Sequence, residues 1–369
     1  MPYLCKIMKK RVLFLFPYPP DTAASQRFRF EQYLPCLQDN GWEYDKQAFL
    51  STKTWAVLYK KGHHIAKITG ILAGFWRRFW LLFSLYKYNI VFIHREASPI
   101  GLPIFEWLIA KVWRKRIVFD FDDAIWLPNT TEQNAWVAWL KFHSKTASIC
   151  RWAWKVSAGN AYLCDYAREF NPQVVLNPTT IDTKNLHNRL RTHENREEKL
   201  VIGWTGTHST LKYLDELVPI LQRLEQQYDF DFLVIADKAP TFELKSLKFL
   251  AWNKETEITD LLRMHVGVMP LLPDKWAAGK CGFKALQYMA LGIPALVSPI
   301  GVNTKIVDNA LNGYVCNTVQ DWENALIALL SNPALRTDMG RQARAKIENA
   351  YSVTSNTANF IQLLQASSN

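Results

Sequence analysis

The chain has 369 residues, of which 49% are hydrophobic and 21% charged, enough for two packed cores and incompatible with a disordered polyelectrolyte. Lys and Arg number 44 against 33 Asp and Glu, a formal charge of +11, which points to a nucleic acid, an anionic membrane surface or a phosphorylated substrate as partner. Six scattered cysteines (Cys5, Cys36, Cys150, Cys164, Cys281, Cys316) form no Cys-x-x-Cys pair, which excludes a zinc or disulfide framework and suits a reducing cytoplasm.

Lys9-Lys10-Arg11 precede an apolar run of five residues, Val12 to Phe16, that meets prolines at once. This is too short for a secretory signal and reads as a first buried parallel strand. Met1 and Met8 are both candidate starts. After the loop Pro17 to Ser25 a helix is predicted over 27–40, closed by Gly41. From His64 to Tyr86, Ile65, Ile68, Ile71, Leu72, Phe75, Phe79, Leu82 and Phe83 recur at helical spacing, joined by Trp76 and Trp80 and interrupted by Lys67, Arg77 and Arg78. A central arginine costs roughly 2.5–3.5 kcal/mol in a spanning helix, so spanning is disfavoured. The segment reads either as a basic, aromatic interfacial helix or as a core helix. Trp136, Trp139, Trp152 and Trp154, interspersed with Lys141, Lys145 and Lys155, extend the same surface on the first reading.

Strands are predicted at 89–94 and 116–120, with a helix over 102–114 between them and a further apolar piece at 154–157. Strand and helix alternate, which predicts an α/β fold on a mainly parallel sheet. Residues 185–199 are rich in Asn, Arg, His and Glu and read as a linker. A second alternating set follows: strands at 200–204, 230–235, 266–270 and 295–299, and helices at 211–227, 259–264 and within 279–292. A tail helix is predicted near 357–364. No sequence repeat is evident; the two halves repeat an architecture.

Open parallel sheets bind ligands beyond the carboxyl ends of their strands, so the loops there are the candidates. Thr205-Gly206-Thr207-His208-Ser209-Thr210 is small and polar and opens a helix. It can place amides and hydroxyls on a phosphate, or it is a simple capped turn. Gly279-Lys280-Cys281-Gly282-Phe283-Lys284-Ala285-Leu286-Gln287-Tyr288-Met289-Ala290-Leu291-Gly292-Ile293-Pro294 reads as loop, helix and Gly-x-Pro stop. Lys280, Lys284 and Gln287 lie four and three apart and are expected on one helix face. Two ammonium groups, a neutral amide and helix-start amides suit an anionic phosphate joined to a sugar; an amphipathic helix with solvated lysines is the alternative.

This segment resembles the donor signature of the retaining glycosyltransferases of family 4, also called group 1. Their pattern is Glu-x7-Glu ending in a Glu-Ala-Met-Ala-x-Gly-x-Pro string. Gln287-Tyr288-Met289-Ala290-Leu291-Gly292-Ile293-Pro294 matches the second half, while the two acid positions hold Gly279 and Gln287. A subset of the family has Gly-Lys-x-Gly-Phe-Lys leading into a Tyr-Met-Ala helix, as here.

The resemblance implies two Rossmann-like domains facing across a cleft (GT-B). Residues 1–190 form an acceptor- and membrane-facing domain, with a tail, 355–369, packing back on it, and 198–352 form a nucleotide-sugar-binding domain. It implies donor contacts from Gly206, Thr207, His208, Gly282, Phe283, Gln287, Gly301, Val302 and Asn303. Trp252 is expected to stack on the base, and Asp274 to stand in for the missing first acid. Lys280 and Lys284 are the expected catalytic charges on the departing diphosphate. Arg27, His94, Arg95, Asp122 and Asp123, at strand ends of the first half, are the expected acceptor side; Asp120-Phe121-Asp122 mimics a metal-binding Asp-x-Asp but lies in the wrong half for donor recognition.

The expected partners are therefore a nucleotide-sugar, a glycan or glycolipid acceptor and an anionic membrane surface, with no metal or other cofactor. Retention of configuration, a role in cell-surface polysaccharide assembly and a cytoplasmic, peripheral membrane location follow on the same reading. The chain has no basic recognition helix or RNP motif, so no nucleic-acid partner is expected. A degenerate, non-catalytic relative and a nucleotide-sugar epimerase are the rival readings.

Overall fold

The computed structural model describes residues 10–58, 60, 62–128, 142–192 and 199–366. The readings made above on Met8, Trp136, Trp139, Lys141 and residues 193–198 lie outside the described residues. Contacts divide the chain into two units, Met1–Pro178 with Thr357–Asn369, and Thr179–Asn356.

Each unit is organised by a six-stranded sheet. In the first, β1 (Lys10–Phe16), β2 (Trp42–Ala48), β3 (Ile90–His94), β4 (Arg116–Phe121), β5 (Lys155–Ala158) and β6 (Val174–Leu176) lie in the order β2-β1-β3-β4-β5-β6. All adjacent pairs are parallel. Strands covered on both faces read as continuous apolar runs. That is why Val12–Phe16 and Ile90–Ile93 were legible in the sequence and why they are buried. Strand β2 was not legible, because Glu43, Tyr44, Asp45 and Lys46 interrupt it at the sheet edge. The helix expected over 27–40 is broken into Ala24–Arg27, a short turn Glu31–Tyr33 and Leu34–Asp39. Pro35 starts that last helix, and Arg29 turns into the core between the first two pieces.

Helix His64–Leu82 docks through its inner side: Gly70 faces Thr54, Gly74 faces Phe49, and Arg78 is 1% exposed. The Arg78 guanidinium donates to Ala97 O at 2.9 Å, Phe16 O at 3.1 Å and Gln47 Oε1 at 2.5 Å. It fastens the loops after β1 and β3, and its burial pulls its pKa down to about 9 against the opposing pull of Glu106. The tail helix Val353–Leu363 carries Phe360, which stacks on Tyr33 at 4.3 Å; Lys155 donates to Gln362 O and Gln365 O. Residues 357–366 thereby complete the first core.

In the second unit, β7 (Leu200–Gly206), β8 (Phe230–Ala236), β9 (Leu247–Ala251), β10 (Val266–Met269), β11 (Ala295–Val297) and β12 (Gly313–Val315) lie in the order β12-β11-β10-β7-β8-β9, again all parallel. Part of the stretch read as a linker belongs to this unit. His187 is fully buried, Arg191 N donates to Leu291 O at 2.7 Å, and Arg344 reaches His187 O at 2.6 Å. The helix expected over 211–227 is instead a tight turn His208–Leu214 and a helix Val218–Leu224 with Pro219 in its first turn.

Helix Phe283–Ala290 lies on β10, where a Cβ at Gly267 would come within 2.3 Å of the Tyr288 ring. Tyr288 Oη accepts from Thr205 N at 3.0 Å and so ties this helix to the end of β7. A Gly267→Ala change overpacks this contact and is expected to cost about 1–3 kcal/mol, read as a lower urea midpoint; an unchanged midpoint would mean the helix shifts freely.

Candidate functional site

In the second unit every strand points the same way, so Gly206, Asp237, Trp252, Pro270 and Ser298 all emerge at one carboxyl edge. Chain order runs outward from β7 to β9 and then resumes on the other side of β7 with β10. The switch point is therefore between β7 and β10, which is where doubly wound sheets bind ligands. The two loops flanking it are Gly206–His208 and Pro270–Gly282, the ones singled out from the sequence.

The turn after β7 is held by its own hydroxyls: Thr210 Oγ1 donates to Thr207 O at 2.9 Å and accepts from Thr207 N. His208 does not point freely at a ligand. Its backbone N and its Nδ1 bond the two oxygens of Asp237, at 2.6 and 2.5 Å. Burial raises the Asp237 pKa, but the His208 bonds outweigh it and hold the carboxyl below its usual range. Asp237 follows β8 directly and was missed, although its place just after a predicted strand was a usable signal.

Across the switch point, Asp274 caps the short helix Lys275–Ala278 by accepting from Ala277 N at 2.6 Å. Gly282 has φ +70° and separates Lys280 from the helix that begins at Phe283. This corrects the expected single face: only Lys284 and Gln287 are helical, because a left-handed residue interrupts the run. Lys280 Nζ lies 5.2 Å from the Trp276 ring, and Lys284 Nζ 5.5 Å from the Trp204 ring. A Cβ at Gly206 would come within 2.5 Å of that same Trp204 ring. The indole thus joins Lys284 to the turn after β7, a role sequence reading did not assign to Trp204.

Gln287 is 2% exposed and donates to Glu257 Oε1 at 3.3 Å. Its side chain is turned to the neighbouring helix Glu257–Leu261. Phe283 is half-buried. The Gly301-Val302-Asn303 turn packs on the loop of Lys280: a Cβ at Gly301 would meet Ala278 O at 2.9 Å and Lys280 O at 3.4 Å. Asn303 is buried and donates to Ser298 O at 3.1 Å, and Ser298 Oγ accepts from Leu271 N at 2.9 Å. Val302 approaches Gly282. Trp252 follows β9, 39% exposed, with its backbone N–H donating to Ala236 O at 2.9 Å. The edge therefore gathers two ammonium groups and an exposed indole beside the capped turn after β7. That set suits a phosphorylated ligand bearing an aromatic base.

The first unit repeats the logic, with its switch point between β1 and β3. There His94 and Asp120 are fully buried, with His94 Nδ1 2.8 Å from Asp120 Oδ2. Arg29 forms a second bond to the Asp120 carboxylate, and Ser157 Oγ donates to it at 2.6 Å. Burial opposes ionisation, but Arg29 and then His94 hold the Asp120 pKa far below the usual carboxylate value. His94 is thus a member of a buried polar cluster that sequence reading did not recognise, because its partners lie far apart in the chain.

Arg95, in the left-handed region at φ +60°, clamps Asp122 and Asp123 at 2.7 Å each. All three belong to one ion cluster. Arg27 is buried, with its guanidinium over Phe28 and 3.5 Å from Asp21. Among the described residues no group of three or more His, Cys, Asp or Glu is arranged to hold a metal.

Two Rossmann-like units of this kind, each with its polar loops at the carboxyl edge of a parallel sheet, make the GT-B fold of glycosyltransferases. Residues 188–346 match the family model described as glycosyl transferases group 1. Solved structures agree on the fold. Sucrose-phosphate synthase from Thermosynechococcus elongatus superposes with a TM-score of 0.67 at 14% identity, covering 96% of this chain and 98% of its own. HepE from Anabaena, in complex with UDP and glucose, gives 0.62 at 12%, covering 96% and 99%. The lipopolysaccharide outer core galactosyltransferase WaaB gives 0.61 at 12%, also covering 96% and 99%. No curated protein sequence matches the chain.

Proposed function

We propose that the protein transfers a sugar from a nucleotide-sugar to a glycan or lipid-linked acceptor with retention of configuration, in cell-surface polysaccharide assembly at the cytoplasmic face of a membrane. The observation that carries the reading is Lys284 held over Trp204 beside the Gly206 turn, at the switch point of the sheet in the family-matched unit. HepE, whose structure holds UDP and glucose, and WaaB, a galactosyltransferase of lipopolysaccharide, share the fold and support the ligand class and the pathway.

On this reading the sugar–phosphate bond breaks as the acceptor oxygen bonds the same carbon from the same face. The departing diphosphate oxygen takes the acceptor proton. Lys280, Lys284 and the amides at the start of helix Phe283–Ala290 stabilise the charge that grows on the diphosphate. No protein nucleophile is required, so Gly279 and Gln287 in place of two acids are compatible with activity. No metal is required either, because the lysines supply the countercharge.

Binding and slow hydrolysis against UDP-, GDP-, ADP- and dTDP-sugars with EDTA present test this. Stabilisation by one sugar nucleotide, with sugar released, is expected. Silence across the panel from folded protein would instead favour a degenerate, non-catalytic relative.

A further inference from the structure

We propose that the outward face of helix His64–Leu82 lies in the interface plane of a phospholipid bilayer and binds chiefly by inserting apolar side chains, with anionic headgroups secondary. This deepens the peripheral-membrane part of the reading above and is independent of the sugar chemistry.

A surface helix ordinarily turns its apolar stripe inward and its charges outward. Here the inner side buries Leu81 and Leu82 beside Arg78, and the outward face is apolar too. Ile68, Leu72, Trp76, Phe79, Trp80 and Phe83 are exposed, Ile68 by 58% and Trp76 by 62%. Their spacings of three and four put them on one side of the helix. No Lys, Arg, Asp or Glu occupies an exposed position from Ile65 to Phe83. The helix's three cations are all directed to protein. Lys67 Nζ donates to Lys60 O at 2.6 Å, Arg77 donates to Phe49 O, and Arg78 is buried among the carbonyls described above. The neighbouring segment, where Phe105 meets Phe75 at 6.0 Å between ring centres, adds exposed Ile104, Trp107 and Val112.

Two features select a lipid surface over another protein as the occupant. The face is aromatic and aliphatic with Trp prominent, the composition that settles at the headgroup–acyl boundary. Its rim is basic: residues 46–95 contain no Asp or Glu, and Lys87, Lys111 and Arg114 are exposed. A partner of phosphate headgroups complements that rim. No helix among the described residues is long and apolar enough to cross a membrane; lying flat, nineteen residues extend about 28 Å in the interface plane.

The mode of binding departs from the basic interfacial helix read from sequence. With Arg77 and Arg78 directed inward and Lys67 held on the Lys60 carbonyl, the central attraction is apolar and so insensitive to salt.

The test is co-sedimentation of the full chain with vesicles of phosphatidylcholine alone and with added phosphatidylglycerol, at about 0.1 M and about 1 M salt. Binding to phosphatidylcholine vesicles that persists in high salt is expected. The combined change Trp76→Ser, Phe79→Ser, Trp80→Ser, all at exposed positions, is expected to lower it at least about tenfold. Lys87→Ala with Lys111→Ala is expected to change it less than about threefold. Circular dichroism of the variants checks that they are folded.

Binding that requires phosphatidylglycerol and vanishes in high salt overturns the proposal. So does absence of binding to every vesicle, and a concentration-dependent dimer abolished by the aromatic changes would then identify a protein interface. Neither failure touches the sugar-nucleotide assay, and silence there would leave vesicle binding standing.

Discussion

Lys284→Ala is expected to lower turnover at least tenfold, with KM for the donor moving less than kcat. One preorganised charge aimed at a departing group is worth about 10²–10³ in rate when removed. Here Lys280 lies in the adjoining loop and sustains part of the field. The side chain is half-buried, and its ammonium rests over the Trp204 ring. The substitution therefore removes a charge and a cation–π contact of about 0.5–2 kcal/mol, without opening a large cavity. Lys284→Arg keeps the charge and is expected to recover part of the activity. The measurement is steady-state transfer with the donor identified by the panel described above. Turnover unchanged by Lys284→Ala would remove this residue from the mechanism, and equal losses in kcat and donor binding would reduce it to a ground-state contact.

Asp120→Ala is expected to destabilise the first unit by about 3–5 kcal/mol, the cost of stripping one partner from a buried ion pair. Arg29 is 1% exposed and Asp120 fully buried, so water cannot replace the lost carboxylate. The side chains of His94 and Ser157 lose a partner as well. The same cluster sets an acid limb. The folded-state pKa of Asp120 lies below its unfolded value near 3.9. Its contribution is fully present above that value and is lost as the pH falls toward the folded-state pKa. Asp120→Asn keeps the shape and removes the charge; it should lower stability at neutral pH and flatten the decline below about pH 4. Urea midpoints at neutral and acid pH measure both. A midpoint indifferent to either change would mean that the buried pair contributes nothing net.

The two predictions contrast in how far their residues were legible. Lys284 was legible: a lysine four residues after a lysine, before a Tyr-Met-Ala helix and a Gly-x-Pro stop, is a local pattern, and local patterns survive in a single sequence. The central strands were legible for the same reason, since burial on both faces demands an uninterrupted apolar run. Edge strand β2 was not, because an edge tolerates Glu43, Asp45 and Lys46. Asp120 drew attention only as part of a metal-like Asp-x-Asp. Its real partners, Arg29 and Ser157, are 91 and 37 residues away, and no local pattern links them.

The helix His64–Leu82 shows the division most plainly. Sequence by itself determined that these residues form a helix with an apolar stripe and basic interruptions, because periodicity is a property of neighbours along the chain. It likewise determined two alternating α/β halves and the loops that carry the candidate donor site. Which way the stripe faces was decided only by the tertiary structure. The carbonyls of Phe16 and Ala97, brought together by the sheet, bind Arg78 and pull the basic side of the helix inward. Phe75 and Leu82 pack inward beside it, while Ile68, Leu72, Phe79 and Phe83 are left outside, because a buried guanidinium needs those acceptors more than the rest of the stripe needs a core. In the same way only the folded chain set Trp204 beneath Lys284 and turned Gln287 toward Glu257, since those contacts join residues that the strand order, not the chain, makes neighbours.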